Sequence, residues 1–593
     1  MTKGRDTRAV AFAAIMACGL FVSLAAAIVA HWIIKEDYTD YIQPFLSWLP
    51  DNLPLCLVLA AAFSAALGVG FFFLFTRFDR IHAALSRFEP PKLIALRFNR
   101  ADVLKAALVM FVLWLPIIII MYPTGLTADT FNQLYQYQTS APMIYPTTGE
   151  MVNAEFIDHH PVFDTLLYGF FWSVGATLGS QNAGIFALGV LQCVILALEL
   201  GTLTCYLERL EVPYAFRLVT LVFFAWFPFF GHYAVTVLKD TTYLTVFVPW
   251  MLMWMETART RGKTLSNMRF LVVFMLLGGA CIITKKMGVF VLVACLIVLA
   301  ARIRPYRGRI LVASATTLVV FCLALPAVVY PAIGGVAPGG KQEVLSPAIQ
   351  HVTALACEDE DALSDDEKAI CNRVFDLERA MDLFSAFRTD GAKSTYLSSA
   401  TSDDIMQFLQ VWVAQGLKHP ATYLVSTFET SGMLYVPFMK ITYYSGDSMW
   451  SRAEVYRETN PEFNVDVGQP DGLVELNDYL EFESLESKIS DLPLISLIFT
   501  EGFYGGWIPF IAIVAVLFAR RRTSSRNADA PYYLTALAPI AFTVLFLLVS
   551  PVASPRYILP MMFTTPLLLG WAWFALKGAR SSETHTATTP LAT

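Results

Sequence analysis

A carboxylate and a pair of histidines bracket one polar loop of this chain. Asp129 follows the apolar run 103–121, and Asp158, His159 and His160 end the same loop. Ionisable side chains beside hydrocarbon usually mark a reaction or transport site. An aspartate can take a proton from a hydroxyl nucleophile, and histidines can donate hydrogen bonds or ligate a metal. The sequence therefore predicts a reactive loop.

More charged residues lie at the ends of later apolar runs. Lys239 and Asp240 precede the run 241–255, Lys285 and Lys286 separate the runs 268–284 and 288–301, and Arg556 precedes the last run. Such cations can hold a phosphate or pyrophosphate leaving group. A divalent cation such as Mg²⁺ or Mn²⁺, bound by Asp158 or Asp240 with a histidine, is a further prediction.

Structural roles compete with these chemical ones. Asp129 has the position of a helix cap, and His159, His160 and Pro161 suit a turn. Lys285 and Lys286 can snorkel to the membrane surface. However, cations are scarce in external loops of membrane proteins. Their retention there favours an anionic ligand.

Composition sets the class of protein. The chain has 593 residues, of which 56% are hydrophobic and 15% charged, whereas soluble domains have about 25% charged residues. We predict an all-α polytopic membrane protein. The short basic clusters lie between apolar runs and do not form a nucleic-acid surface.

Twelve apolar runs are long enough to cross about 30 Å of hydrocarbon. They are 9–33, 55–75, 103–121, 183–205, 214–231, 241–255, 268–284, 288–301, 310–330, 494–519, 532–549 and 557–576. The first lacks a convincing cleavage site and is predicted to be a retained span. A thirteenth run, 162–178, is short and carries Asp164.

Positive charge decides the topology. Arginine-rich loops at 77–105, 259–263, 302–309 and 520–526 are predicted to be cytoplasmic. These cytoplasmic assignments are consistent with one another only if 162–178 is a juxtamembrane helix that does not cross the membrane. Both termini are then cytoplasmic, and the loop 122–182 lies outside. So do Lys239, Lys285, Lys286 and Arg556.

The same topology divides the chain into segments. Residues 1–102 hold an N-terminal hairpin and cytoplasmic loop, 103–330 a transmembrane core, 331–493 a mostly helical external subdomain, 494–580 the C-terminal spans and 581–593 a disordered cytoplasmic tail. Only Cys357 and Cys371 fall in the polar insert, where a disulfide is compatible with an external location.

At these residues the chain resembles the GT-C glycosyltransferases, integral-membrane enzymes that use polyprenyl-phosphate-linked sugars. The matching elements are Asp129 after a span, His160-Pro161 before the surface helix, Lys239-Asp240 before the next span, and Arg556-Tyr557-Ile558-Leu559-Pro560. The resemblance covers residues 100–330 and the last two spans, and is closest to bacterial GT-C-like proteins. Thr130 replaces the second acid of the usual Asp-Glu pair, and the hairpin 9–75 is additional.

The resemblance implies inverting transfer of a sugar from a polyprenyl-phosphate donor to a cell-envelope glycan, glycolipid or protein at the outer face of a bacterial plasma membrane. Asp129 would be the general base, with Asp240 and His160 as further catalytic residues. The substrate-binding residues would be Gln133, His159, Lys239, Lys285, Lys286 and Arg556. The prenyl tail would lie in a groove lined by 223–230, and the external subdomain would guide the acceptor.

Other functions remain open from the residues alone. A polysaccharide polymerase or ligase shares the chemistry of lipid-linked sugars. A transporter or flippase of such lipids predicts charges at mid-span and paired broken helices, which the pattern does not show. A membrane O-acyltransferase requires a histidine deep within a span, and His232 lies at an edge. A structural or binding protein is the last alternative.

Overall fold

The computed structural model describes residues 94–138, 154–386, 388–431, 495–522, 532–548 and 554–587. Shorter described pieces lie at 19, between 53 and 91, at 143–144 and 151–152, and between 467 and 492. The predicted first span 9–33 lies outside the described residues apart from residue 19, as does most of 432–493. Of the predicted second span, the described pieces are helical.

Helices dominate the described chain. They are α1 Phe78–Leu85, α2 Arg100–Ile120, α3 Ala128–Gln138, α4 Val162–Thr177, α5 Gln181–Tyr206, α6 Tyr214–Trp226, α7 Pro228–Val235, α8 Lys239–Arg259, α9 Met268–Thr284, α10 Met287–Arg302, α11 Arg307–Val319 and α12 Leu325–Ala332. The insert 331–493 contributes α13 Gln342–Glu358, α14 Asp365–Cys371, α15 Leu377–Asp382, α16 Asp390–Lys393, α17 Ser402–Lys418 and α18 Pro420–Ser431. The chain then forms α19 Ile495–Ile498, α20 Ile508–Arg522, α21 Ala538–Leu547 and α22 Leu559–Ala587.

Apolar length supports a polytopic membrane protein. Among the described residues, five helical segments are long and apolar enough to cross a membrane: Arg100–Ile120, Gln181–Tyr206, Arg304–Ala332, Phe503–Arg520 and Arg556–Gly578. A sixth is formed if α6 and α7, bent by 53° at Phe227, count as one span. Shorter apolar helices include α9 and α10. The number twelve stays a prediction.

Helix α4 is the predicted surface helix. It has 16 residues, which at 1.5 Å per residue gives about 24 Å, less than the hydrocarbon thickness. It packs on α3 and α5. Its backbone touches α5 where a Cβ on Gly175 would lie 2.6 Å from the Cα of Gly184. The helix is present as predicted, and its orientation to the membrane stays a prediction.

Most phenylalanines of the run 223–230 pack into the core, whereas Trp226 is exposed. Phe224, Phe227, Phe229 and Phe230 are buried. Their rings pack on one another and on Phe499 and Phe563. The phenylalanines therefore fill their own space as core, and a prenyl groove at this place stays a prediction.

The last helix also departs from the sequence prediction. α22 runs to Ala587, seven residues beyond residue 580, where a disordered tail is predicted to begin. No proline interrupts the chain between Pro566 and Pro590, so nothing in the backbone forces the helix to stop at that boundary.

The insert joins the loop 122–182 through a short parallel sheet. Strand β3, Phe156–Asp158, pairs with strand β4, Val336–Pro338. A separate two-stranded sheet, formed by strands β1 Met143–Ile144 and β2 Met151–Val152, lies within the same loop. The insert's helices then surround their own apolar core, which includes Ile349, Val352, Phe375 and Phe408.

Two local predictions in the insert have mixed outcomes. The periodicity predicts a helix over 402–416 with Ser402 and Asp403 as its cap. The helix runs over Ser402–Lys418, and Thr401 and Asp404 make the capping box instead. The two cysteines are not joined, since Cys357 is exposed and Cys371 is buried in the subdomain core. The two side chains lie in different environments, and this explains why they form no disulfide although they are close in sequence.

We expect His351 to make the insert sensitive to acid. Its Nδ1 accepts a hydrogen bond from the Trp412 indole at 3.3 Å, and its Nε2 lies 3.0 Å from the Thr427 hydroxyl. A protonated ring has no acceptor for Trp412. Burial lowers the pKa of His351 to about 4. Because the pKa is lowered in the folded state, the neutral ring stabilises the fold fully above about 6.5, and this is lost as pH falls toward 4.

We expect backbone amides of 342–431 to exchange several-fold faster at pH 4.5 than at pH 7 after correction for the intrinsic rate. Hydrogen exchange of the full chain, read by mass spectrometry, measures this. His351→Gln keeps an acceptor for Trp412 without titrating, so it should flatten the pH dependence. His419→Gln is the matched control. Equal exchange at both pH values in the unmodified protein would contradict the assignment.

Candidate active site

Four helix ends meet at one end of the bundle and bring the charged residues together. Asp129 lies in the first turn of α3, Lys239 and Asp240 begin α8, and Lys285 ends α9. Arg556 precedes α22 in the short 3-10 turn Pro555–Ile558. The prediction that these side chains share one place is confirmed by the contacts below.

Asp129 does not cap its helix. The Thr127 hydroxyl accepts a hydrogen bond from the backbone N–H of Thr130 at 3.4 Å. This is the hydrogen bond that a helix cap makes. The Asp129 carboxylate is therefore available for other partners. Its place in the first turn also exposes it to the positive end of the helix dipole.

The Asp129 carboxylate is shared by cations from two distant segments. Its Oδ2 lies 2.9 Å from Lys239 Nζ and accepts a hydrogen bond from Arg556 Nη1 at 2.5 Å. Burial alone would raise the pKa of Asp129, but Lys239, Arg556 and His160 hold it well below its usual range. Asp129 is ionised at neutral pH.

His160 faces the other oxygen of the same carboxylate. Lys239 Nζ lies 3.0 Å from His160 Nδ1, and a lysine ammonium can only donate. The ring hydrogen therefore sits on Nε2, 4.0 Å from Asp129 Oδ1. Burial and Lys239 hold the pKa of His160 well below its usual range, so the ring is neutral. The gap between Nε2 and Oδ1 is too long for a direct hydrogen bond, and Nε2 has no partner among the described residues. Its two atoms match a group that both accepts and donates, such as a hydroxyl.

Asp240 and Lys285 form a second buried pair beside the first. Lys285 Nζ donates to Asp240 Oδ1, and Arg556 Nε lies 3.9 Å from Asp240 Oδ2. Lys285 Nζ also lies 5.5 Å from the centre of the Tyr243 ring and 5.4 Å from that of Tyr557, within cation–π range. The snorkelling alternative is wrong for Lys285, which is 7% exposed.

The insert 331–493 supplies the next layer of contacts. Lys286 Nζ contacts the carbonyl of Asp158 and lies 3.7 Å from its carboxylate. His159 Nδ1 lies 3.9 Å from Glu343 Oε1 on α13, and Lys393 Nζ donates to Glu343 Oε2 at 3.0 Å. The rings of His159 and His160 are 4.6 Å apart. A continuous series of contacts thus joins the insert to Asp129.

In this outer layer, burial shifts the pKa of the carboxyl group and the pKa of the imidazole in opposite directions. It raises the pKa of Asp158, although Lys286 acts against the rise. It lowers the pKa of His159 to about 4, with Glu343 acting against the fall. His159 is therefore neutral at physiological pH.

The predicted metal ligands lie in ion pairs. Asp158 pairs with Lys286 and Asp240 pairs with Lys285, so each carboxylate already has a cation beside it. Within the described ranges, no three His, Cys, Asp or Glu side chains lie close enough to hold a metal ion. The carboxylates as placed fit a divalent cation poorly, and the metal role stays a prediction.

Gln133 lies apart from the cations. It is buried, and its Nε2 donates to the Thr165 hydroxyl of α4 at 3.3 Å. It thus anchors α3 to α4 in the structure, and a contact with substrate stays a prediction. Asp164, next to Thr165, is fully buried with no hydrogen-bond partner for either oxygen among the described residues. Burial raises the pKa of Asp164 well above its usual range.

Sequence patterns did not reveal Glu343 and Lys393. They lie far along the chain from Asp129 in a polar insert rich in charged residues. No periodicity or motif distinguishes them from solvated charges. A sequence signal for their position is the short link between β4, which ends at Pro338, and α13, which begins at Gln342. Because this link is short, α13 must begin close to β4.

The opposite end of the same helices carries the arginines. α8 begins at Lys239 and ends at Arg259, and α10 runs from Met287 to Arg302. One end of the bundle therefore holds the acidic and basic cluster, and the other holds the loops rich in positive charge.

Comparison with known proteins places the chain in a family. Neither the curated proteins nor the solved structures include a match. A family model matches residues 87–587, a range that takes in α2, α22 and every charged residue of the cluster. The chain belongs to the family of unknown function DUF6020.

Proposed function

We propose that this protein is a membrane glycosyltransferase that moves a sugar from a polyprenyl-phosphate donor to a hydroxyl of a cell-envelope acceptor, with inversion. The observation that carries the proposal is the Asp129 carboxylate, held between Lys239 and Arg556 with the His160 N–H facing its free oxygen. This arrangement offers a proton acceptor and cations side by side.

The acceptor hydroxyl fits between His160 and Asp129. It accepts a hydrogen bond from His160 Nε2 and donates its hydrogen to Asp129 Oδ1, which are 4.0 Å apart. The hydroxyl oxygen then bonds to the anomeric carbon as the bond from that carbon to the phosphate oxygen breaks. The proton passes to Asp129, and the electron pair of the broken bond stays on the phosphate.

The leaving phosphate is matched by excess positive charge. Lys239, Lys285 and Arg556 face the two carboxylates of Asp129 and Asp240, so one cation exceeds the acids. A phosphate that draws Arg556 and Lys239 toward itself weakens their hold on Asp129. The pKa of Asp129 then rises toward its usual range, and the carboxylate becomes a better base once the donor is bound.

Charge also supports an outward-facing site. The arginine-rich ends of α8 and α10 are opposite the cluster, and such ends are retained in the cytoplasm. The cluster would then lie at the outer face of a bacterial plasma membrane, where envelope acceptors are found. Both termini would be cytoplasmic.

Binding of a prenyl phosphate tests the role of the cations. Farnesyl phosphate is a suitable probe, and its affinity for the purified chain in lipid nanodiscs can be measured by calorimetry. We expect Arg556→Gln to weaken binding about tenfold or more, since a charge-assisted contact to phosphate is lost. Arg556→Lys should recover only part of the loss.

The control is Arg379→Gln, which removes an exposed charge of the external insert. It should bind farnesyl phosphate as the unmodified chain does. Equal affinity of the Arg556→Gln protein and this control would contradict a phosphate site at the cluster.

A further inference from the structure

The cluster contains a second gap of the same kind as the one at Asp129. Glu343 Oε1 and His159 Nδ1 are buried atoms that lie 3.9 Å apart, and neither has a hydrogen-bond partner among the described residues. The other oxygen of Glu343 is held by Lys393, whose own charge is also paired with Asp390 at 2.8 Å. The carboxylate is thus fixed in position with one oxygen left over.

The two gaps have the same polarity. Each consists of a histidine nitrogen and a carboxylate oxygen, 4.0 Å apart at His160 and Asp129 and 3.9 Å apart at His159 and Glu343. A carboxylate only accepts, so the histidine nitrogen that faces it is the donor. Each gap therefore fits a group that accepts from the ring and donates to the acid. A hydroxyl does both.

The gaps are also close together. They belong to consecutive residues whose rings are 4.6 Å apart and nearly perpendicular, at 74°. Because neighbouring side chains carry the two gaps, one molecule with several hydroxyls, such as a sugar, can reach both. A serine or threonine side chain offers one hydroxyl and would leave the second gap unfilled, with a buried acceptor unsatisfied.

We propose that His159 and Glu343 form a hydroxyl subsite that recognises a second hydroxyl of the acceptor, so that the acceptor is a sugar or polyol rather than a hydroxyl side chain of a protein. This inference rests on the proposed function for the role of the Asp129 gap. It assigns to the external insert a direct part in acceptor selection. Glu343 is a specificity-determining residue, and Lys393 is a positioning residue that acts through it.

Binding of simple sugars tests the subsite without knowledge of the natural acceptor. Methyl α-D-mannopyranoside and methyl α-D-glucopyranoside are the probes, and N-acetylserinamide is the single-hydroxyl comparator. Saturation-transfer NMR on the full chain in nanodiscs gives their affinities. We expect at least one glycoside to bind, with N-acetylserinamide at least tenfold weaker.

Variants of Glu343 locate that binding. Glu343→Ala should weaken the glycoside about tenfold or more, because a hydrogen bond to a charged group is removed. Glu343→Gln keeps the shape and a neutral contact for Lys393, so it should fold normally and give an intermediate loss. Glu360→Ala, on the exposed acidic loop, should change nothing.

The outcomes separate this inference from the proposed function. A glycoside that binds the Glu343→Ala protein as tightly as the unmodified one, or absence of glycoside binding to either, overturns the subsite. Preference for N-acetylserinamide also overturns it. If instead sugar transfer survives Asp129→Asn while glycoside binding still depends on Glu343, the transferase proposal fails and the sugar subsite stands.

Discussion

Asp129→Asn is expected to lower sugar transfer to the envelope by about 10² to 10⁴-fold, the usual contribution of a positioned general base. The amide cannot take the acceptor's proton, although it keeps the shape of the side chain. It also removes the charge that Lys239 and Arg556 share. The effect is measured as the envelope glycan composition of cells that carry only the variant. The amount of the variant protein in the membrane serves as the reference.

The matched control for this variant is Asp361→Asn, an equivalent change at an exposed position of the insert. It should leave the glycan unchanged. An Asp129→Asn protein that accumulates normally and retains full transfer would sink the assignment of Asp129 as base.

The buried pair of Asp240 and Lys285 should produce the largest effect on stability. Asp240 is 1% exposed and Lys285 7%, and removal of one partner from such a pair leaves an uncompensated buried charge. This costs about 3 to 5 kcal/mol. Asp240→Asn and Lys285→Met should therefore each lower the unfolding temperature of the detergent-solubilised protein by several degrees.

The double variant distinguishes a pair from two separate effects. Asp240→Asn combined with Lys285→Met removes both charges, so it should be less destabilised than the sum of the singles by about 1 to 3 kcal/mol. Lys577→Met, which removes a cation from the exposed pair with Glu211, should shift the temperature little. Additive losses in the double variant would contradict a direct interaction.

Hydropathy and charge predicted the parts of the site that lie at helix ends. The bounds of α9, Met268–Thr284, match the apolar run, because the apolar run is uninterrupted and the Asn267 side chain caps its first turn. Asp129, Asp240, Lys285 and Arg556 come together as the topology count requires. Alternation of sides puts every second loop at the same end of a bundle, so this convergence follows from counting spans.

Other features depend on side-chain packing, which the sequence does not show. An aromatic run reads the same whether its rings line a groove or fill a core, as Phe224 and Phe230 do here. The choice of Thr127 over Asp129 as the cap depends on a shift of two residues in the start of α3. Glu343 reaches His159 only because β3 and β4 pair across a long stretch of chain.

The pairing of β3 with β4 limits where the chain can be cut to make a chimera. A chimera that exchanges the insert between members of the family, cut at residue 331, would replace Glu343 and Lys393 together and keep Asp129 with its cations. It would also separate β4 from the strand Phe156–Asp158 with which it evolved. A transplant would therefore need to carry its own copy of residues 154–160 to seat the new insert. Acceptor preference would then be transferred by two segments, residues 154–160 and the insert. The residues proposed for donor chemistry would remain those of the recipient chain.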